Sequence, residues 1–255
     1  GELWAHMDEG RYDGALGQTL RRFNGSLFKD RTAFPLDEAG IRELRVAADK
    51  DWADVEPAIF GTLLERALDP RERSRLGAHY TPRAFVERLV VPTVIEPLRQ
   101  DWENAQARVS ELLRKDDGDG ALAEVRAFHH RLCKTRVLDP ACGTGNFLYV
   151  ALELMKRLEG EVLKAAESLG TSDPLALRGE TVDPSQFLGI ELNPRAVPIA
   201  ELVLWVGYLQ WQLRNGQQVA DPVLHAYGTI RRGDAILAWD DEVPRLDDRG
   251  EQVMV

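Results

Sequence analysis

The chain has 255 residues, 44% of them hydrophobic and 29% charged, with a net charge of −10. That length accommodates one large domain or two small ones, and the composition is that of an ordinary globular protein. The acidic balance argues against a self-sufficient nucleic-acid binder, which carries a basic face, but leaves room for a cofactor-binding part of a larger DNA enzyme.

Residues 1–75 read as a helical lead-in. Leu16, Leu20 and Phe23 fall on one helical face, as do Ile59, Leu63 and Ala67, and FNGSLFKDRTAFPL (23–36) interrupts with turn chemistry. In LGAHYTPR (76–83), Thr81 is suited to cap a helix and Pro82 to open it; Pro92 is placed to kink or divide that helix. Further helices are expected over 103–114 and 121–132, on either side of the KDDGDG loop.

The pattern then changes. TRVLDPA reads as a short buried strand and NFLYVALELMKRLEG as a helix ending at Gly160; residues 171–186 form a polar insertion. FLGIEL (187–192) reads as a second strand. Asn193 caps and Pro194 opens the helix PRAVPIAELVLWVGYLQWQL, which is apolar nearly all round and so expected to be deeply buried. VLHAYGTIRRGDAIL (223–237) supplies a third strand and a turn. Strands alternating with helices imply an α/β fold with a parallel, doubly wound sheet over 76–255.

No apolar run approaches the roughly 20 residues that span a bilayer, and the opening GELWAHMDEG lacks the basic start and apolar core of a signal peptide. The cysteines, Cys133 and Cys142, form neither a CxxC pair nor a zinc spacing, so a reducing cytoplasm is the compartment that fits. The histidines, His129-His130 among them, show no metal spacing, and no metal is expected.

The chemistry concentrates in LDPACGTGNF, where a strand turns sharply into a helix and its backbone must approach a ligand closely. Glycine permits both, and the helix N-terminus offers free N–H groups. A P-loop would need a lysine that is absent here; a dinucleotide fingerprint fails because Leu148 stands where its third glycine belongs. Asp139, just ahead of the turn, suits a positively charged methyl donor better than a pyrophosphate, which favours S-adenosylmethionine. Glu191, at the end of the second strand, is placed to accept ribose hydroxyls. It lies much farther from the glycines than the usual spacing of about 20 residues, and the insertion at 160–186 accounts for the excess. Asp234 in RRGDAIL is placed to accept from an adenine amino group, although Gly-Asp is also ordinary turn chemistry.

LDPACGTGNFL resembles the first motif of class I S-adenosylmethionine-dependent methyltransferases, and its DPACGTGNF form resembles DNA adenine-N6 methyltransferases of the gamma motif order. LGAHYTP resembles the motif that precedes it in that group, GIELNPRAVPIAELVLW the second motif with its helix, and GDAIL the third. FNGSLF is similar to a segment of the helical lead-in of large restriction–modification and phage-defence methylases. The resemblance implies a partial Rossmann-like methyltransferase sheet. Asp139, Ala141, Gly143 and Gly145 would line the methionine and ribose side, Tyr80 and Thr81 would touch the methionine part, Glu191 would hold the ribose, and Asp234 with Ile236 the adenine. Neighbours within the same motifs, namely His79, Pro140, Cys142, Asn146, Phe147, Leu192 and Ala235, complete the expected cofactor shell. His79 departs from the family pattern, which has tyrosine there.

The family's catalytic element, [DNS]PP[YF], is absent: LDPA, VDPS, LNPR and ADPV each lack the second proline and the aromatic residue. No residue is therefore assigned to catalysis. The chain is expected to be part of a longer enzyme rather than a free-standing cofactor module, because an open parallel sheet with uncovered faces is an unlikely endpoint. Alone it should not methylate DNA. Double-stranded DNA would be engaged through regions beyond this chain, with defence-system proteins as further partners and no membrane. RNA or protein-glutamine methyltransferases share the glycine turn, and a non-catalytic scaffold that binds S-adenosylmethionine is the alternative of another class. Cys142 lacks the preceding proline of a cytosine-C5 nucleophile, ACGTGN is no nucleophile elbow, and no Glu-x-Lys triplet supports a nuclease. Arg71, Arg73, Arg75 and Arg83 read as a solvated helix face.

Overall fold

A computed structural model describes residues 2–20, 35–50, 55–67, 81–170, 180–215 and 228–237 of the chain. Three short parallel strands carry the site: β3 (Val137–Asp139), β4 (Phe187–Glu191) and β5 (Ile230–Arg232), side by side in that order. Asp139 lies opposite Gly189, and Glu191 opposite Arg232. Two helices make the crossovers, α7 (Asn146–Ser168) between β3 and β4, and α8 (Ala196–Arg214) between β4 and β5. They pack on each other and on the sheet. The expected parallel sheet is therefore present, but its double winding is seen only in half. Val137 faces the core, whereas Leu138, on the opposite face of β3, is 59% exposed and no helix among the described residues covers it.

Ahead of the sheet, α1 (Glu2–Glu9) leads into a small antiparallel hairpin, β1 (Tyr12–Asp13) with β2 (Gln18–Thr19). The helix expected through Leu16 and Leu20 is not formed. Asp13 accepts hydrogen bonds from the N–H groups of Ala15 and Leu16 and from His6, a side-chain-to-backbone turn that outcompetes the helix. Phe23 and most of 23–36 lie outside the described residues. Asp37 caps α2 (Glu38–Ala48) by accepting from the Gly40 N–H. In α3 (Ile59–Ala67), Ile59 and Leu63 are exposed, and Phe60 is the residue that packs on the core. This inverts the expected inner face.

Pro82, not Thr81, stands at the cap of α4 (Arg83–Val90), with no side-chain capping bond. A π-turn, Val91–Ile95, joins it to α5 (Glu96–Arg114). Pro92 lies in that turn: lacking an N–H and crowding the preceding carbonyls, it widens the helix instead of dividing it. The loop at Asp117 reverses the chain into α6 (Gly118–Lys134), longer than expected and stapled to α5 by Trp102 against Phe128 at 4.9 Å between ring centroids. Helix α7 runs straight through Gly160, because Val162 and Ala166 beyond it are buried. That burial outweighs the ~1 kcal/mol a helical glycine costs. Asn193 is not the cap: it accepts from the Arg195 N–H in a turn ahead of the helix. Arg195 stands at the cap with no side-chain bond, and α8 begins at Ala196, two residues later than expected.

A charged cluster lies inside this packing. Glu159 and Lys156, both on α7, are ion-paired and almost inaccessible. Glu159 also accepts from the Val182 N–H at 3.0 Å and meets His129 Nε2 of α6 at 3.3 Å. Lys156 donates to the Thr181 hydroxyl and sits 4.0 Å over the Trp211 ring of α8. Burial works against the Glu159 charge, but His129 and Lys156 hold its carboxyl below the usual range. Cys133 stands 3.6 Å from His129 Nε2. The fold thus gathers His129, Cys133 and Glu159, which share no metal spacing in sequence, within 4.8 Å. Lys156 supplies that group's positive charge from within the chain. Among the described residues, no helix is long and apolar enough to cross a membrane.

Breaking this pair strands a buried charge. Glu159→Gln should destabilise the chain by about 3–5 kcal/mol, read by denaturant unfolding. Adding Lys156→Met should recover part of the loss; additive effects in the double-mutant cycle would contradict the pairing. Burial pushes the thiols of Cys133 and Cys142 up to about 12. At pH 8 both are then protonated, and a thiol-specific disulfide reagent should label neither until the chain is unfolded.

Candidate functional site

The site is built at the C-terminal ends of the strands, where ligands sit in open α/β sheets. Leaving β3, the chain stays on the ladder for one more bond, Cys142 N–H to the Ile190 carbonyl at 3.1 Å, and then turns through Gly143 and Gly145. Both glycines have positive φ, 54° and 80°. A side chain on Gly145 would also meet Ala200 at 3.1 Å, so this glycine lets α8 rest on the turn. On Gly143 it would meet nothing within 4 Å. One glycine is closed against protein and the other opens outward. The first N–H groups of α7 follow at once and have no partner within the helix.

Glu191 joins this turn to the second strand. Its Oε2 accepts from the Gly143 N–H at 2.8 Å and its Oε1 from the Asn193 N–H at 2.7 Å. An ionised carboxylate has about four acceptor positions, so two remain for a ligand. Asp139 accepts from the Ala141 N–H at 3.0 Å, and burial, with Glu191 nearby, raises its carboxyl above the usual range. A cation placed here would be favoured by both carboxylates. Cys142 is buried against β4, where a side chain on Gly189 would stand 2.6 Å from its sulfur. Its place is a packing one.

At β5 the Gly233 N–H donates to the Glu191 carbonyl at 3.0 Å, which brings the third motif beside Glu191. Asp234 folds back on its own turn, accepting from the N–H groups of Ile236 and Leu237, which hold its carboxyl below the usual range. Ala235 and Ile236 are exposed, as are Pro140, Ala141 and Leu192, while Phe147 packs on the core. His79 and Tyr80 lie outside the described residues. Thr81 is present through its backbone, its carbonyl accepting from the Asn146 carboxamide at 2.7 Å. The fold therefore unites Asp139, Gly143, Gly145, Glu191 and Asp234 at one sheet edge, with Thr81 at its margin.

Two further contacts were not legible in the sequence. Arg83 is no solvated residue: it pairs with Glu153 of α7 at 2.7 Å, with Glu87 at 2.8 Å and with Glu56 at 3.5 Å. Burial opposes its charge, but Glu153 and Glu87 more than compensate. In addition, α3 passes so close to the glycine turn that a side chain on Gly61 would overlap the Thr144 hydroxyl. An arginine after Thr-Pro was visible in the sequence; its three carboxylates, drawn from separate elements, were not.

The chain is 29% identical over 229 residues to DNA methyltransferase A of Bacillus subtilis, a match covering 87% of this chain and 24% of that protein. It is 26% identical over 227 residues to a Methanocaldococcus jannaschii protein described as a candidate type II restriction enzyme and methyltransferase, covering 78% of this chain and 18% of that one. The fold is similar to that of the type IIL restriction–modification enzyme MmeI, whose structure was solved in complex with DNA. The TM-score is 0.74 at 28% identity, with 92% of this chain and 31% of MmeI covered. The chain thus spans about a fifth to a quarter of the length of the curated relatives it matches. Residues 113–254, which include the glycine turn, Glu191 and Asp234, match the family described as MmeI, DNA-methyltransferase domain, and the chain belongs to that family.

Proposed function

We propose that this chain is the S-adenosylmethionine-binding portion of a DNA adenine-N6 methyltransferase of a restriction–modification system. The observation that carries this reading is the Glu191–Gly143 contact at 2.8 Å, which puts a carboxylate with spare acceptor positions beside a glycine that opens outward. The family assignment and the DNA named in the MmeI structure support the class of enzyme and its substrate.

The residues present fit the ligand. Glu191 would take the ribose hydroxyls on its two remaining acceptor positions, and Asp234 would face the adenine from the end of β5. Asp139 would balance the positive charge of the methionine part, and the free N–H groups at the start of α7 would receive its carboxylate. The bound donor supplies an electrophilic methyl group on a sulfonium. The chain's own contribution is orientation: carboxylates at the ends of β3, β4 and β5 fix the nucleoside across the sheet edge. Adenine-N6 chemistry requires the base to leave the duplex stack so that its amino group reaches that methyl in line. The segment that would receive the base is not in this sequence, so the chain alone is a binding unit.

In calorimetric titrations, the chain should bind S-adenosylmethionine and leave NAD unbound. Asp139→Ala and Glu191→Ala should each weaken binding by about tenfold or more, as expected for lost charge-assisted hydrogen bonds. Binding of NAD, or methyl-donor binding indifferent to both changes, would overturn the site. A longer chain carrying the next motif should transfer a labelled methyl group to adenine N6 in duplex DNA, read by nucleoside mass spectrometry. Label on cytosine, RNA or protein would overturn the substrate.

A further inference from the structure

Asn146 is the first residue of α7, directly after the left-handed Gly145, and is only 8% exposed. Its carboxamide is turned away from its own helix. Nδ2 donates to the Thr81 carbonyl at 2.7 Å, across 65 residues of sequence. The assignment of nitrogen and oxygen is fixed chemically, since an amide oxygen there would face the carbonyl oxygen. Glu153 is two helical turns farther along the same face of α7 and binds Arg83 at 2.7 Å. The segment 81–83 is thus fastened to α7 at two points. Arg83 is in turn held by Glu87 of its own helix and by Glu56 of the lead-in.

The sheet order gives this fastening a direction. Asp234, Glu191 and the glycine turn follow one another from β5 through β4 to β3, and Thr81 is bound to the first residue of the helix that leaves the turn. A nucleoside held on Glu191 would therefore extend its 5′ substituent across Gly143 toward Thr81. We infer that Asn146 is a positioning residue, holding the 81–83 segment at the end of the site that receives the amino-acid part of the methyl donor. This inference rests on the S-adenosylmethionine reading. Asn146 contributes through the segment it holds, and Arg83 with Glu153 sets the same segment from its other end.

The test compares two ligands on the full chain: S-adenosylmethionine, and 5′-methylthioadenosine, which keeps the nucleoside and thioether but lacks the amino acid. Asn146→Leu removes the donor while keeping the number and branching of the side-chain heavy atoms. It should weaken S-adenosylmethionine about tenfold, the scale of one lost hydrogen bond, and leave 5′-methylthioadenosine within about twofold. Equal losses for both ligands, or none for either, would overturn the positioning role. A second measurement needs no ligand. Amide hydrogen exchange over residues 81–90 should accelerate by about fivefold or more, while 187–193 stays unchanged. Uniform acceleration would mean general destabilisation, and no change would mean that the contact holds nothing; either overturns the inference. Asn146→Asp, also without a donor but favourable at a helix start, repeats the exchange measurement should Asn146→Leu fold poorly. If the unaltered chain binds neither ligand, the S-adenosylmethionine reading fails, and the exchange data still decide whether Asn146 holds the segment.

Discussion

The carboxylate of Glu191 is the contact on which the arrangement of the site depends. The glycine turn leaves β3 with two residues in left-handed conformation, closed within itself by the Gly145 N–H on the Cys142 carbonyl at 2.8 Å. Glu191 restrains it from outside by accepting the Gly143 N–H, and with its other oxygen it fixes the chain entering α8. One side chain thereby sets the spacing between the ends of β3 and β4. Two acceptor positions stay free because a carboxylate has more of them than these two bonds use. The same group can brace the protein and face a ligand.

Helix α7 is the second organising element. Its N-terminus forms the floor of the site, and its length carries polar contacts to several neighbours: Asn146 to Thr81, Glu153 to Arg83, and Lys156 with Glu159 to α6, α8 and the 181–182 segment. Buried charges at mid-helix are a poor source of net stability, but they are intolerant of misplacement, since any sliding of α7 would leave one unpaired. The register of α7 against β4 and α8 is therefore tightly specified, and with it the position of the glycine turn.

Much of the site was legible in the sequence because few residue types satisfy its constraints. Gly143 and Gly145 must adopt positive φ, and Asp139 and Glu191 end their strands, so composition and spacing revealed them. The Glu191–Gly143 bond was not legible, because it depends on the parallel register that sets Asp139 opposite Gly189. Local competition defeated periodicity at Leu16, where Asp13 draws the backbone into a hairpin. Tertiary burial defeated a stop signal at Gly160, where Val162 and Ala166 keep the helix going. Arg83 looked like one of a run of surface arginines, and only the convergence of Glu56, Glu87 and Glu153 distinguishes it. Residue type and spacing marked the candidate residues, while long-range partners decided which members of a charged run are structural.

A crystal structure of the chain with S-adenosylhomocysteine tests the central claim most directly. The account predicts both ribose hydroxyls within hydrogen-bonding distance of Glu191, with the Gly143 and Asn193 N–H bonds to that carboxylate retained and the amino-acid end lying over Gly143 toward Thr81. A nucleoside bound away from Glu191, or a glycine turn that closes over the site when Glu191 is engaged, would contradict it.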